Sequence, residues 1–517
     1  MSTHIDSFAP LVNGKAVDLS SLPLLAAEAL ASGIGEGIGK GKRVIAYFGT
    51  NYEGIAGGRG IGLVAVLADD AANGLVAART LPVEGGFPSI ATAFPQVQLF
   101  EREIAEQYGL VPEGHPWLKP VRYHHSWTES DAWGRDRHAP IPPAVGDFYR
   151  VEGDEVHEVA VGPVHAGIIE PGHFRFQCHG ETVFHLEIAL GYQHRGLEAS
   201  LAGKPAGLPG NRSMRLAETI AGDSSIAHAT AHAQVHEALA GARSSPRADT
   251  LRAIALELER LANHTGDLGA IAGDIGYLPT SSYCGRIRGD FLNLTAILCG
   301  NRFGRGYVAS GGVDHDLDEA ERGALLSRLA AAEKDVTVAV SLLWDSSSVM
   351  ARLEDTGRLT REVAVELGLV GVAARASGLA RDARADNPSG IWRFAHVPVA
   401  TAESGDVLAR AHVRWLEIQR SIAFIRERLE GMPGGKARNP VGAPAASRLV
   451  VTLVEGWRGE VCHVALTGDE GSFLRYKVVD PSFHNWSGLA RALRGQEISD
   501  FPLCNKSFNL SYCGHDL

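Results

Sequence analysis

The sequence predicts an α+β fold in two parts, a small N-terminal α/β unit followed by a mainly helical domain with peripheral β-strands. Three features predict it. The chain has 517 residues, too many for one ordinary core. Short apolar runs broken by glycine lie between Lys42 and Leu81, and long stretches with helical spacing dominate from Arg215 to Arg428.

The first unit is expected to contain strands at RVIAYFG and GIGLVAVLA. A helix should close it over Gln98 to Tyr108, where Phe100, Ile104 and Tyr108 recur every four residues and Gly109 stands at the C-cap position. Glu101, Arg102, Glu103 and Glu106 fall between them, which predicts a solvated acidic face opposite an apolar one. Between Arg122 and Gly153 the composition turns to Trp, His, Asp and Pro without a sustained period, the mark of a connection. The predicted division is 1–125, a linker at 126–152, and 153–517. Val156 to Leu190 reads as strands, the helical region follows, and Gly431 to Ala446 introduces a last strand-rich segment, RLVVTLVEGWRGEVCHVAL, with a helix over Trp486 to Arg494.

Composition narrows the function. Hydrophobic residues make up 45% and charged residues 21%, the balance of a globular protein. The formal charge of −11 and the lack of a Lys/Arg cluster speak against a nucleic-acid partner. No apolar run reaches about 18 residues, and no basic-then-apolar leader opens the chain, so neither a membrane span nor a secretory signal is expected. Six cysteines are scattered without a CxxC pair, which fits a reducing compartment and gives no cluster or zinc spacing. A strand–GxGxxG–helix fingerprint is also lacking, so nicotinamide binding would belong to a partner.

Four separated segments carry a family resemblance. FPSIATAFPQVQLFEREIAEQYGL with EGHPWLKPVRYH resembles the 30-kDa-type subunit of respiratory complex I. GPVHAGIIEPGHFRF through LEIALGYQHRGLE looks like the start of the 49-kDa-type subunit and of the related group 4 membrane-bound nickel–iron hydrogenase large subunits, of the hydrogenase-4 and formate hydrogenlyase kind. AETIAGDSSIAHATAHAQVHEAL keeps the frame of a hydrogenase segment through Glu218, Ile220, Gly222, Ser225 and His228, and NLSYCGHDL stands where such subunits end. The helical stretch ELERLANHTGDLGAIAGDIGY with YCGRIRGDFLNL is similar to the 49-kDa core. The resemblance therefore implies a 30-kDa/49-kDa fusion with a hydrogenase-large-subunit-like second domain.

It also implies residue roles. His165 matches a hairpin histidine that lines a quinone-headgroup chamber, and Asp267 the acidic residue coupled to it. Arg286 and Arg288 match arginines facing the neighbouring subunit and its terminal iron–sulfur cluster. The four positions that hold thiolates in the hydrogenases are Ala221, Ser224, Ser511 and Gly514 here, with Cys513 one place off. Neither a methyl group nor an un-ionised hydroxyl replaces a thiolate, so no nickel–iron centre is expected. Gly222 stands where complex I has a quinone-bonding tyrosine, and it offers no hydroxyl. From the residues alone each candidate has a plainer reading: His165 as a loop histidine, Asp267 as a helix cap, and the arginines as surface ion pairs. His228, His232 and His236 share one helix face, more in keeping with a polar seam than with a metal pair.

The expected function is the peripheral-arm large subunit of a membrane-bound oxidoreductase, forming a quinone-type chamber beside a partner's iron–sulfur cluster. The alternatives are a structural coupling subunit without chemistry and a true group 4 hydrogenase. The resemblance implies an iron–sulfur small subunit, a ferredoxin-like subunit and antiporter-like membrane subunits as partners. It places the chain, as a peripheral protein, on the cytoplasmic face of a bacterial inner membrane. No cofactor is expected to be held by this chain itself; quinone is the candidate ligand.

Overall fold

A computed structural model describes residues 4–53, 59–141, 146–167, 169–202 and 212–517. In the N-terminal unit, Arg43–Asn51, Ile61–Asp69 and Gly74–Thr80 form an antiparallel meander rich in Val, Leu and Ala. Ala9–Leu11 extends it antiparallel and Leu24–Leu25 pairs parallel, both on the Gly74–Thr80 strand. Arg43–Asn51 and Ile61–Asp69 are buried along almost their whole length, because the helices Ala27–Gly39 and Gln98–Tyr108 and a further sheet cover them.

The Gln98–Tyr108 helix begins and ends where its periodicity predicts, with Gly109 in the left-handed conformation at φ 72°. Its acidic side does not face water. Glu101, Glu103 and Glu106 are fully buried, which corrects the solvated face read from the pattern. Each carboxylate has a built-in set of donors. Glu101 accepts from Ser89 and the Ile90 amide, and Glu106 accepts from the amides of Val121, Arg122, Tyr123 and His124. Glu103 binds Lys477 at 2.6 Å and also Arg122. A buried charge survives only when paired and hydrogen-bonded in this way.

The stretch read as a linker has no helix or long strand among its described residues; 142–145 lie outside them. Val156–Val161, His173–His179 and Thr182–Ala189 then make a three-stranded antiparallel sheet. The helical core follows in Pro246–Asp274, Leu278–Cys299, Glu319–Trp344 and Val407–Glu430, which pack apolar faces built on Leu258, Ile287, Leu329, Val336, Ile418 and Ile425. Local signals fix the ends. Ser245 and Asp406 cap their helices, and Asp318 with Glu321 forms a capping box. No helix among the described residues is long and apolar enough to cross a membrane.

Arg448–Glu455, Glu460–Thr467 and Phe473–Val479 form a last antiparallel sheet, buried on both faces where strict alternation would have left one wet. Its outer edge is taken by Val17–Asp18 from the start of the chain. Asn13 reinforces this join, donating to Leu453 O at 3.0 Å and accepting from the Leu453 amide at 2.8 Å. The N-terminal sheet and this one share a single apolar cluster that includes Phe48, Phe100, Val451, Val464 and Phe483.

Candidate functional site

Four segments distant in sequence converge around one guanidinium. The turn between Arg448–Glu455 and Glu460–Thr467 carries Trp457 and Arg458. Arg260, buried in the Pro246–Asp274 helix, holds this turn by donating to Glu455 O at 2.8 Å and Gly456 O at 3.1 Å. Gly371 lets it close: a Cβ there would lie 1.9 Å from Arg458 O, and φ is 63°. Arg458 then reaches into the loop 219–224, donating to both Asp223 carboxylate oxygens at 2.5 and 2.8 Å, while its guanidinium carbon lies 3.9 Å from the Trp457 ring centre. Burial alone would lower the Arg458 pKa, but Asp223 outweighs it and the cation is held firmly.

The C-terminal strap 509–516 closes the other side. Arg458 Nε donates to Asn509 O at 2.5 Å, and Asn509 Nδ2 donates to Asp267 Oδ1 at 2.6 Å. Asp267 Oδ2 accepts from Arg414 Nε at 2.7 Å. Asp267 thus sits in the interior of its helix, buried, and does not cap it. The hairpin loop between Val156–Val161 and His173–His179 holds His165, half-buried, whose Nε2 lies 2.8 Å from Gly172 O. Glu170 of that loop accepts from the Tyr512 and Cys513 amides at 3.1 and 3.3 Å, which docks the loop on the strap; Ile168 lies outside the described residues. His165 and Asp267 therefore border the same region without a hydrogen bond between them among the described residues.

The two predicted arginines separate. Arg286 is exposed and ion-paired with Asp290 at 2.8 Å and with Asp335. Arg288 lies over Gly266 of the neighbouring helix, where a Cβ would meet its Cδ at 2.8 Å. Sequence reasoning missed Arg302 and Arg305. Both are exposed, and Arg305 comes 3.4 Å from where a Cβ on Gly222 would stand. It also missed Arg458, Asp223 and Asn509; the one signal was a cation in a tight WRG turn between two apolar runs.

Ser224, Ser511 and Gly514, which the resemblance assigns with Ala221 to thiolate positions, lie on the loop and strap of this region. Ala221 is buried. Ser224 lies 3.5 Å from Arg458 Nη1, and Ser511 Oγ accepts from the Gly514 amide at 2.9 Å. Gly514 has no room for a side chain, since a Cβ would lie 2.6 Å from Asp480 Cγ. The Cys513 thiol is 3.4 Å from Ser511 Oγ, and burial with Glu170 nearby pushes its pKa up, away from thiolate. A cation, two hydroxyls, a methyl group and a glycine do not fit a nickel–iron centre.

A cleft of about 560 Å³ lies between the Gln98–Tyr108 helix, the Thr182–Ala189 strand and the Pro481–Ala492 helix, with His515 of the C-terminal strap on its wall. Trp117, Lys119, Glu187 and Trp486 are among its lining residues.

Comparison with known proteins gives two family matches on the one chain. Residues 42–137 match the respiratory-chain NADH dehydrogenase 30 Kd subunit, and residues 274–446 match the 49 Kd subunit. Formate hydrogenlyase subunit 5 of Escherichia coli (strain K12) is 30% identical over 435 residues, covering 82% of this chain and 76% of that protein. The carbon monoxide-induced hydrogenase of Rhodospirillum rubrum is 30% identical over 356 residues, 68% of this chain and 97% of that protein. NADH-quinone oxidoreductase subunit 4 of Thermus thermophilus is 31% identical over 376 residues, 67% of this chain and 90% of that protein.

Proposed function

The chain belongs to the family of large subunits found in complex I and in group 4 hydrogenases, and on that premise we propose that it forms the acceptor chamber of a membrane-bound, hydrogenase-related oxidoreductase without a nickel–iron centre. The observation that carries the reading is the convergence on Arg458: the hairpin of His165, the loop 219–224, Asp267 and the C-terminal strap meet around a fixed cation where thiolates would be required for hydrogen activation. Electrons would come from an iron–sulfur cluster in a small partner subunit, seated on the side of Arg288, Arg302 and Arg305. A ferredoxin-like subunit and antiporter-like membrane subunits would complete the assembly. The domain division at 126–152 belongs to this proposal.

A quinone-type acceptor gains charge with each electron and must take up protons. His165 is the donor at its headgroup, because its half-buried ring stands on the hairpin loop with Nε2 held by Gly172 O. Asp267 is a positioning residue. It fixes Asn509, and through it the carbonyl that holds Arg458. Gly222 contributes no hydroxyl, so the headgroup is oriented by cationic groups such as Arg305 and not by a phenol.

A second reading, a coupling subunit without chemistry, draws support from Asp267 being fully engaged by Arg414 and Asn509. One experiment separates them: the purified complex carrying His165→Ala is assayed with quinone analogues and with hydrogen. Acceptor reduction slowed at least tenfold supports the chamber. Unchanged turnover in an intact assembly supports the coupling subunit, and stoichiometric nickel in the native complex would overturn both.

A further inference from the structure

Behind the site runs an unbroken line of buried rings and hydroxyls. His236 Nε2 is 3.1 Å from His232 Nε2, and His232 Nδ1 is 2.6 Å from Tyr476 Oη. Tyr476 Oη is 2.8 Å from His463 Nδ1, and His463 Nε2 is 3.1 Å from His228 Nδ1. His228 Nε2 ends the line 3.1 Å from Asp480 Oδ2. The three helix histidines come from Ser225–Leu239, and His463 and Tyr476 come from two adjacent strands of the C-terminal sheet. The strand residues step between the helix residues, so that His228 reaches His232 only through them.

The hydrogen-bond inventory fits one polarity. A neutral imidazole has one N–H and one bare nitrogen, and a phenol has one O–H and a free lone pair. If His236 Nε2–H donates to His232, every later bond falls into place: His232 Nδ1–H to Tyr476, Tyr476 O–H to His463, His463 Nε2–H to His228, and His228 Nε2–H to Asp480. Each group between the two ends donates once and accepts once. Four of the five rings and hydroxyls are fully buried, while His236 keeps 8% exposure and is the outer end. The inner end touches the site, since Asp480 packs directly against Gly514 and its Oδ1 accepts from the Ser482 amide, beside Ser511.

We propose that this line is a proton relay between the protein surface at His236 and Asp480 at the back of the acceptor chamber. It rests on the reading of the chamber given above. A proton arriving at His236 Nδ1 drives five transfers, each breaking one N–H or O–H bond and forming the next, and one proton appears on Asp480. The line is left with its donors reversed and is reset when five transfers run the other way, a proton leaving Asp480 Oδ2 for His228 and one leaving His236 Nδ1 at the outer end, so that the relay exchanges one proton at a time between its two ends. A seam needed only for packing would be met at lower cost by apolar residues such as the alanines that recur along this helix. Burial keeps four of these groups uncharged at rest: it holds His232 and His463 far below the ordinary imidazole range, lowers His236 to about 4, and raises the Tyr476 phenol. For Asp480, burial pushes upward, but His228 and Arg458 outweigh it and keep the group ionised at rest, with Oδ2 as the acceptor at the end of the line.

Two measurements test the relay. In the full-length chain labelled with ¹⁵N-histidine, side-chain nitrogen shifts should show His228, His232, His236 and His463 as neutral tautomers sharing one direction. Two bare nitrogens or two N–H groups facing each other would overturn it, whatever the acceptor proves to be. In the purified complex, Tyr476→Phe keeps the ring and removes the hydroxyl. Turnover at least tenfold lower, with a larger rate decrease in D₂O than the unsubstituted complex shows, is the expected result. Unchanged turnover in a complex that His165→Ala does slow would reject the relay and leave the chamber standing.

Discussion

Replacing Lys477 by Met tests what joins the N-terminal unit to the rest of the molecule. Lys477 Nζ lies 2.7 and 2.6 Å from the two Glu103 oxygens and 3.1 Å from Glu198 Oε1, and all three side chains are essentially without exposure. Glu103 belongs to the Gln98–Tyr108 helix and Lys477 to the last strand of the C-terminal sheet, so the ion pair ties that helix to that sheet. Methionine keeps the stem volume and removes only the cation. Glu103 then retains Arg122 alone, and Glu198 retains Arg475. Breaking one partner of a buried pair costs about 3–5 kcal/mol, because the carboxylate stays buried and undercompensated. For units of this size that is on the order of 5–15 °C in melting temperature. Burial raises the Glu103 and Glu198 pKa values, but Lys477, Arg122 and Arg475 outweigh it and hold both below the ordinary range. Carboxylates depressed in this way contribute stability above their unfolded pKa and lose it as pH falls through the folded value. Without Lys477 that depression weakens and Glu103 can protonate in place. The difference between variant and parent should therefore shrink from pH 8 to pH 5. Calorimetry over that range is the assay, with Glu103→Gln added to Lys477→Met recovering part of the loss. A loss below about 1 kcal/mol at pH 8, or one that grows toward pH 5, would refute the reasoning.

Three further outcomes follow from buried groups near the site. Glu259 binds the Ile226 and Ala227 amides, and burial raises its pKa to about 8. A raised carboxyl is neutral at no cost below its unfolded pKa and loses stability as pH climbs toward the folded value, so Glu259→Gln should stabilise by on the order of 2–4 kcal/mol at pH 8 and by little at pH 4 in thermal melts. Gly514→Ala drives a methyl group into Asp480 and should cost about 1–3 kcal/mol by urea titration, while alanine at the open position Gly434 costs nothing measurable. Asp267→Asn leaves the buried Arg414 guanidinium without its carboxylate and should lower stability by about 3–5 kcal/mol, read by calorimetry.

What the sequence made legible was what depends on neighbours in the chain. The Gln98–Tyr108 helix and its Gly109 cap follow from four-residue spacing and one achiral residue, and the strands at 43–51 and 61–69 from runs of branched side chains bounded by glycine. The carboxylates of that helix could not be read, because one of the two cations for Glu103 lies 374 residues away and the pattern of Glu between apolar positions is the same whether a lysine or water waits opposite. The site divides along the same line. His165 falls on a hairpin loop as expected, and Asp267 is placed on a helix, although in its interior. Arg458 stayed hidden because a cation in a hairpin turn ordinarily points to solvent, and only Arg260 and Gly371 from elsewhere turn it inward. The relay stayed hidden for a related reason. Histidines at four-residue spacing declare a shared face but not that His463 and Tyr476 will be threaded between them.

The edge strand Val17–Asp18 sets an order for the birth of this protein. Asn13 bonds a residue 440 positions later, so during synthesis the opening segment emerges with its sheet partner still unmade, for roughly 20 to 90 s at ordinary elongation rates. The meander at 43–80 can close in that interval, but its apolar face and the stray strand must wait uncovered until the last sheet arrives. A gene cut between the two units would accordingly yield fragments that each lack a wall, and the two halves should be recovered folded only when they are made together.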